Sequence, residues 1–318
     1  MANFERSGLY VVIKNVEQLK KTFATINALK GGKEITMHFE TITVNKDTNE
    51  KINVLKINEN GINESVGITI QHELYSDPDK YKCIDDMSKQ RIYSNICVDS
   101  KTLYDIFKGL NNNYTVIFYV YVNESSLRIN ITCNSFLQDL KIPTIDMTFC
   151  ESTIDKYKFE CCVMMNTKTL NDNIKLYNKI TDDLTIRCTN KSLTFKTYST
   201  SPNSIESTTT LQKGTNPDDI IIFPNEKLED SDSMIISSTY PMKCLMLVSR
   251  IDEQFCEKVT LMFVRTKIAN NHAIIFNYSY DKNEFVKITV LPKNTTTNND
   301  ENSEQINYWS GKLWFNFY

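Results

Sequence analysis

A helical pattern of apolar residues runs directly into an apolar strand in residues 99–122, DSKTLYDIFKGLNNNYTVIFYVYV. Apolar residues three or four positions apart predict a helix with one buried face. These residues are Leu103, Ile106, Phe107 and Leu110. Asp99 is a candidate N-cap, and the β-branched and aromatic residues from 115 onward predict a strand. The stretch therefore predicts a helix, a tight turn and a strand in succession.

The same order of elements returns in residues 238–264. Two further helices are predicted over 15–29 and 166–180, each preceded by a short apolar strand. The predicted buried positions of these three helices are Leu19, Phe23 and Ile26; Leu170, Ile174 and Tyr177; and Met242, Leu245, Met246 and Ser249. A chain that contains one unit twice predicts two copies of one domain.

Short segments in which polar and apolar residues alternate predict antiparallel strands around these helices, with a hairpin turn at Asn60 and Gly61. The predicted fold class is α+β: two similar domains, each with two helices packed on antiparallel sheets. We place domain 1 at residues 1–146, an interdomain connector at 147–157, domain 2 at 158–293 and a flexible tail with an aromatic end at 294–318.

The connector and the tail each admit two interpretations. The connector, MTFCESTIDKY, is either a solvated linker or a flexible strap whose apolar residues Phe149 and Ile154 face a partner pocket. The tail holds both tryptophans of the chain. Its aromatic end, residues 308–318, either folds back onto a groove of its own domain or docks on a partner, since exposed aromatic clusters are uncommon without one.

Composition limits the classes of partner and compartment. With 36 Lys and Arg against 39 Asp and Glu, no broadly basic surface is expected, so any affinity for nucleic acid depends on local concentration of charge. The nine cysteines form no CxxC pattern, which predicts reduced thiols in an intracellular compartment. No apolar run approaches the roughly 20 residues needed to cross a bilayer, so no membrane association is expected.

Motifs of catalysis and cofactor binding are not found in the sequence. His38, His72 and His272 have no carboxylate or cysteine at metal-ligand spacing. The run Gly31–Lys33 follows a helix and lacks the spacing of a phosphate-binding loop, so it is interpreted as a helix stop. The pattern favours a binding or scaffolding protein over an enzyme, with no metal and no cofactor.

Basic residues lie on the polar faces of all four predicted helices, several of them seven positions apart and therefore along one edge. They are Lys20, Lys21, Lys101, Lys108, Lys168, Lys175, Lys179, Lys243 and Arg250. On one helix such lysines are ordinary solvated residues, whereas on four helices together they predict a surface that follows a phosphate backbone without reading bases. Asp105 and Asp172 fall on or near these faces and dilute the charge.

Several phrases, taken in order, resemble the sliding DNA clamps of the proliferating cell nuclear antigen type. VEQLKKTFATINAL resembles the first clamp helix, and IYSNICVDSKTLYDIFKGL resembles a strand and the second helix of the first clamp domain. LKIPTIDMTFCESTIDKYKFECCVMMNTKTL resembles the passage from domain 1 through the connector into domain 2. CEKVTLMF and FVKITVLPK resemble the closing strands, so the resemblance spans roughly residues 8–293. The tail and the segment 214–233 depart from it.

The resemblance implies a DNA-clamp fold and a head-to-tail homotrimeric ring around double-stranded DNA, bound without sequence preference. It implies subunit contacts between strands at about 137–145 and 204–211. It matches Lys20, Lys21, Lys108 and Lys175 to DNA-facing positions, and Arg250 falls close to another such position. Asp105 and Asp172 stand where many clamps have basic residues. A partner pocket is implied near Phe149, Ile154, Leu291 and Pro292.

The implied function is that of a DNA polymerase processivity factor, divergent and viral in character, at a nuclear or cytoplasmic replication site. Its implied partners are a DNA polymerase, other replication and repair proteins, and a clamp loader. Three other roles stay open: a clamp-fold accessory factor that acts as a monomer or dimer, a subunit of a checkpoint-type clamp, and a transcription scaffold. An unrelated α+β enzyme is the remaining class.

Overall fold

The computed structural model describes residues 4–30, 34–45, 47–63, 66–85, 92–122, 124–134, 136–145, 159–197, 205–214, 220–224, 235–251, 253–265 and 271–293. The chain divides into two compact units. Unit 1 comprises Met1–Ile62, Ile68–Glu151 and Ser279–Val286, and unit 2 comprises Asn63–Gly67, Ser152–Tyr278 and Lys287–Tyr318. The predicted connector, 147–157, lies outside the described residues, so its limits stay a prediction.

Unit 1 is built from two helices and antiparallel strands. In chain order its elements are β1 (Ser7–Val12), α1 (Val16–Lys30), β2 (Glu34–Asn45), β3 (Glu50–Asn63), β4 (Val66–Glu73), β5 (Tyr81–Cys83), β6 (Asn95–Asp99), α2 (Ser100–Phe107), β7 (Thr115–Tyr121), β8 (Ser126–Cys133) and β9 (Phe136–Pro143). One sheet has the order β5-β1-β7-β8-β9, and in another β4, β3, β2 and β6 are successive neighbours.

The helices of unit 1 begin where their capping residues predict. Asn15 Oδ1 accepts a hydrogen bond from the Gln18 backbone N–H at 3.0 Å, and Asp99 Oδ2 accepts one from the Thr102 N–H at 2.7 Å. The predicted apolar face of α1 is buried, and the Phe23 ring meets the Phe107 ring of α2 edge to face with centroids 5.0 Å apart. The two helices are therefore held together through their apolar faces.

The predicted hairpin turn at Asn60 and Gly61 is wrong. Strand β3 continues through both positions to Asn63, and β4 begins at Val66. The local Asn-Gly signal is overridden because β3 continues as a strand between its sheet neighbours β4 and β2. The turn preference of two residues does not determine where a strand ends when sheet pairing continues the strand past them.

Unit 2 repeats the arrangement of helices on antiparallel strands. Its elements are β10 (Phe159–Asn166), α3 (Thr167–Tyr177), β11 (Asp183–Thr189), β12 (Ser192–Lys196), β13 (Thr208–Gln212), β14 (Ile221–Pro224), β15 (Ile235–Pro241), α4 (Met242–Val248), β16 (Lys258–Arg265), β17 (His272–Asp281) and β18 (Glu284–Val290). Residues 279–286, at the tip of the β17–β18 hairpin, group with unit 1. One sheet has the order β13-β12-β11-β15, and in another β14, β10, β16, β17 and β18 are successive neighbours.

Helix α3 buries every residue that the sequence pattern assigns to the core, whereas α4 buries Met242, Leu245 and Ser249 but leaves the predicted Met246 half-buried. Leu170, Ile174 and Tyr177 are fully buried, as predicted. In α4, Cys244, Leu247 and Val248 are buried in addition to Met242 and Leu245. The predicted stripe on α4 was too narrow, because this short helix is enclosed on most sides while Lys243 stays exposed.

A buried histidine on β4 contacts α1 and the end of β17, at residues that all belong to unit 1. His72 on β4 lies with Nε2 2.7 Å from Thr22 Oγ1 of α1 and with Nδ1 3.1 Å from the Tyr280 hydroxyl. Burial lowers the pKa of His72 to about 3, because a charged imidazolium would lose its hydration there. The carboxylate of Glu284, also buried, lies 3.9 Å from His72 Nδ1 and has a pKa that burial raises.

We predict that His72 makes the fold less stable in mild acid. Its pKa is lower in the folded chain than the roughly 6.5 of an unfolded histidine, so the unfolded chain takes up the proton first and stability falls as pH drops below that value. The loss is at most about 1.4 kcal/mol per pH unit. His72→Gln should flatten the dependence of the unfolding free energy on pH between pH 7 and 5.5, measured by urea denaturation.

The matched control is His38→Gln. Burial alone would lower the pKa of His38, but hydrogen bonds with Glu40 and Asn95 outweigh burial and raise it. Protonation of His38 therefore stabilises the folded chain as pH falls, and its removal should steepen the acid loss. Equal pH dependence in the wild type and the His72→Gln chain would contradict the assignment.

Candidate nucleic-acid interface and strand edges

Exposed basic residues occur on or just after three of the four helices, as far as the structure describes the chain. Of the nine predicted DNA-facing residues, Lys20 and Lys21 are half-buried and the other seven are exposed. The exposed set is Lys101, Lys108, Lys168, Lys175, Lys179, Lys243 and Arg250. The structure confirms that these seven are solvent-accessible; their contact with DNA stays a prediction.

Lys20 on α1 is held by the protein itself. Its Nζ donates to the Leu110 carbonyl at 2.9 Å and lies 3.2 Å from Glu17 Oε2. The bond to Leu110, 90 positions away, ties α1 to the segment that follows α2. The sequence pattern predicted a solvent-facing lysine here, whereas the structure shows a positioning contact within unit 1.

Lys108, at the end of α2, is partly neutralised. Its Nζ lies 2.8 Å from Asp105 Oδ1, one helical turn earlier. This hydrogen bond lowers the pKa of the Asp105 carboxyl and raises that of Lys108, so both groups stay charged near neutral pH. The pair is exposed, so it contributes little to stability, but it reduces the positive field that α2 presents, as the sequence predicted.

Unit 2 carries the denser group of exposed basic residues. Lys168, Lys175 and Lys179 are exposed along and just after α3, with the exposed carboxylate of Asp172 among them. Two buried hydrogen bonds fix α3 to the segment after α4: Asn171 Nδ2 to the Ile251 carbonyl and Thr167 Oγ1 to the Cys256 carbonyl, both at 2.6 Å. The buried side of α3 is therefore fixed, and its lysines are left on the solvent side.

Strands β9 and β13 each end a sheet, β9 in unit 1 and β13 in unit 2. Seven of the eight residues of β9 are not buried, and Phe136 and Leu137 are 47% and 59% exposed. β13 is exposed or half-buried at every position, and Ile205 just before it is 64% exposed. The resemblance placed subunit contacts at these two strands, and within the described residues both have an open edge.

A polar network holds β9 against its sheet. The buried Tyr119 of β7 donates its hydroxyl proton to the Asp139 carboxylate of β9, with oxygen distances of 2.7 and 2.9 Å. Burial, and then this hydrogen bond, raise the pKa of Tyr119, so it stays a donor. Arg128 of β8 bonds Glu124 at 2.9 Å and lies 3.6 Å from Asp139. Sequence reasoning missed this network, because its members meet only once the strand register is known.

Half of the predicted partner pocket can be located. Leu291 and Pro292 are half-buried directly after β18, where the Lys293 N–H donates to the Thr239 carbonyl at 2.7 Å and Lys293 Nζ pairs with Asp183. The other two predicted residues, Phe149 and Ile154, lie outside the described residues, as does the aromatic end of the tail. The partner pocket implied by the resemblance therefore stays a prediction.

The described residues contain no cluster suited to a metal ion and no helix suited to spanning a membrane. No group of three or more histidine, cysteine, aspartate or glutamate side chains there has the arrangement of a metal site. No helix there combines the length and the apolar character needed to cross a bilayer.

Comparisons with known proteins identify the fold. No family model matches the sequence, and no curated protein matches it. Among solved structures, the proliferating cellular nuclear antigen of Entamoeba histolytica aligns with a TM-score of 0.65 over 91% of this chain and 100% of that chain, at 12% sequence identity. The chain therefore has the clamp fold of the proliferating cell nuclear antigen type, and the predicted α+β class is confirmed.

We predict that Tyr119→Phe weakens the attachment of β9. The substitution removes a hydrogen bond to a carboxylate, a contact that contributes about 1.5–3 kcal/mol when buried and less at this half-exposed acceptor. Hydrogen exchange at the β9 amides should become faster. Tyr10→Phe is the control, because Tyr10 lies on β1, which β7 and β8 separate from β9, and its ring packs edge to face against Phe4. Unchanged β9 exchange in Tyr119→Phe would show that the network does not hold the strand.

Proposed function

We propose that this protein is a sliding clamp: three chains join head to tail into a ring around duplex DNA and tether a DNA polymerase and other replication or repair proteins. The clamp fold supports a role of this type at the coarse level. The observation that carries the proposal to this chain is the pair of open sheet edges, β9 and β13. Each presents backbone N–H and C=O groups that a strand of a second chain can pair.

A contact between β9 of one chain and β13 of the next is heterologous, so it repeats from chain to chain and closes into a ring if its rotation allows. Apolar side chains also favour such a contact. Phe136 and Leu137 of β9 are large and exposed, and a paired strand would remove part of their surface from water. Pairing would bury Leu137 and satisfy the backbone edge at the same time.

The charge of the protein fits a topological mode of DNA binding. With a formal net charge of −3, the whole surface does not attract DNA strongly. Once a ring is closed, affinity is not needed to prevent escape. A few exposed lysines, such as Lys168, Lys175 and Lys179, then need only provide weak, salt-screened contacts with phosphates, which permit sliding.

In this proposal the protein catalyses no reaction and needs no cofactor. A clamp loader driven by ATP would open the ring, and client proteins would dock through a short hydrophobic and aromatic peptide near Leu291 and Pro292. The site of action would be an intracellular replication site, and a viral origin would fit the sequence divergence. A monomeric or dimeric accessory factor of the same fold is the alternative that the next experiment separates.

We predict a solution mass near three times the chain mass of 36.9 kDa, measured by light scattering after size-exclusion chromatography. Leu137→Asp should shift the mass toward one chain, because it places a charge in the proposed strand contact. Ile84→Asp is the matched control: Ile84 is also in unit 1 and is equally exposed, 59% for both residues. A wild-type mass near one chain would refute the ring.

We predict that the lysines of α3 contribute to DNA association in proportion to the phosphates they contact. In Lys168→Gln/Lys175→Gln/Lys179→Gln, the slope of log affinity against log salt should become less steep by about 0.9 for each lost phosphate contact. The control, Lys51→Gln/Lys191→Gln/Lys213→Gln, changes the net charge equally at exposed positions outside the helices. Equal slopes for both triple variants would remove α3 from the DNA-facing surface.

A further inference from the structure

In unit 2, the sheet that contains β14, β10, β16 and β17 has a cluster of apolar side chains on one face. Part of this cluster is exposed to solvent. Strand register aligns Phe223 of β14, Cys162 of β10, Met262 of β16 and Ile275 of β17 in one row across the sheet. On one side of this row, the next row pairs Ile221 with Met164. On its other side, the next row pairs Phe159 with Val264. We call Phe159, Cys162, Met164, Ile221, Phe223 and Met262 the apolar face.

Residues that alternate with these point to the opposite side of the sheet and are fully buried, among them Val163, Leu261 and Ile274. The apolar face is only partly buried: Cys162 at its centre is 8% exposed, whereas the other residues of the face are more accessible. Phe223 is 52% exposed and Phe159 is 40% exposed, while Met164, Ile221 and Met262 are half-buried. Two of the four large exposed hydrophobic residues described in unit 2 therefore lie on this one face. A clustered apolar surface of this kind indicates a binding site.

We propose that the occupant of this face is the aromatic segment of the same chain, residues 308–318, YWSGKLWFNFY. The segment contains Tyr308, Trp309, Leu313, Trp314, Phe315, Phe317 and Tyr318. Its rings match the chemistry of the face, which offers two phenylalanines and polarisable methionine and cysteine sulfur atoms. Burial of several rings against these side chains removes apolar surface of both partners from water.

The attachment of the segment favours a contact within the chain. Lys293, the last described residue, is fixed to unit 2 through its N–H bond to Thr239 and its ion pair with Asp183. Residues 294–307 separate it from the aromatic segment, and a random-coil chain of fourteen residues would span about 20 Å on average. A domain of the size of unit 2 has a radius of gyration of about 15 Å, so the segment can reach the face.

Tethering also lowers the affinity that the contact needs. A segment joined to its binding surface through a short tether experiences an effective concentration in the millimolar range, so even weak binding keeps the face occupied. Residues 294–307, which are polar except for Ile306 and include Asp300, Glu301 and Glu304, offer little apolar surface to compete with the aromatic segment. The contact does not depend on ring assembly, and it goes beyond the clamp function proposed above.

Tryptophan fluorescence tests the proposal directly, because the only two tryptophans of the chain, Trp309 and Trp314, lie in the segment. In the full chain we expect emission at shorter wavelength than that of a synthetic peptide of residues 308–318, with weaker quenching by acrylamide. Phe223→Asp should shift the emission to the wavelength of the peptide and restore its quenching. Leu176→Asp is the control, because Leu176 is 49% exposed elsewhere in unit 2.

A second variant leaves the folded unit untouched. Phe315→Ser/Phe317→Ser keeps both tryptophans and should release the segment to the same extent, with an unchanged circular dichroism melting curve. Wild-type emission equal to that of the peptide would overturn the proposal, as would emission that Phe223→Asp does not change. A shift to longer wavelength on dilution would also overturn it, because it would place the segment on a second copy of the chain.

Discussion

The backbone of an edge strand has one row of N–H and C=O groups that its own sheet cannot pair, and a soluble protein must cover, charge or use that row. In this chain, β9 in unit 1 and β13 in unit 2 are such strands. β9 begins with exposed Phe136 and Leu137, so apolar side chains accompany the open backbone at that end, while Asp139 and Lys141 place exposed charges further along the strand. The proposed ring follows from this constraint, since pairing β9 with β13 of the next chain uses both edges together.

The packing inside each unit explains why the basic residues of the helices lie at the surface. Helices α1 and α2 are joined through Phe23 and Phe107, and α3 is fixed by the hydrogen bonds of Thr167 and Asn171. Once these faces are buried, the lysines of α3 have no position except the solvent side. The same packing that stabilises each unit thus determines which of these lysines lie on the solvent side.

Periodicity and capping predicted the helices well, because both depend on neighbours within a few residues. The buried positions Leu170, Ile174 and Tyr177 could be assigned before the structure was known. The hairpin turn at Asn60 and Gly61 failed because β3 runs on to Asn63 within a sheet, between β4 and β2, and a two-residue signal does not contain that pairing. The inward contact of Lys20 with Leu110 and the bond between Tyr119 and Asp139 depend on tertiary structure, so no local pattern could reveal them. The apolar face of unit 2 was missed for the same reason, since its residues come from three strands.

Electron microscopy of the purified chain would test the central claim most directly. The account predicts rings of three chains with a central hole wide enough for duplex DNA, and the loss of these rings in Leu137→Asp. A field of separate particles of one chain each, at concentrations where the protein is fully folded, would contradict it.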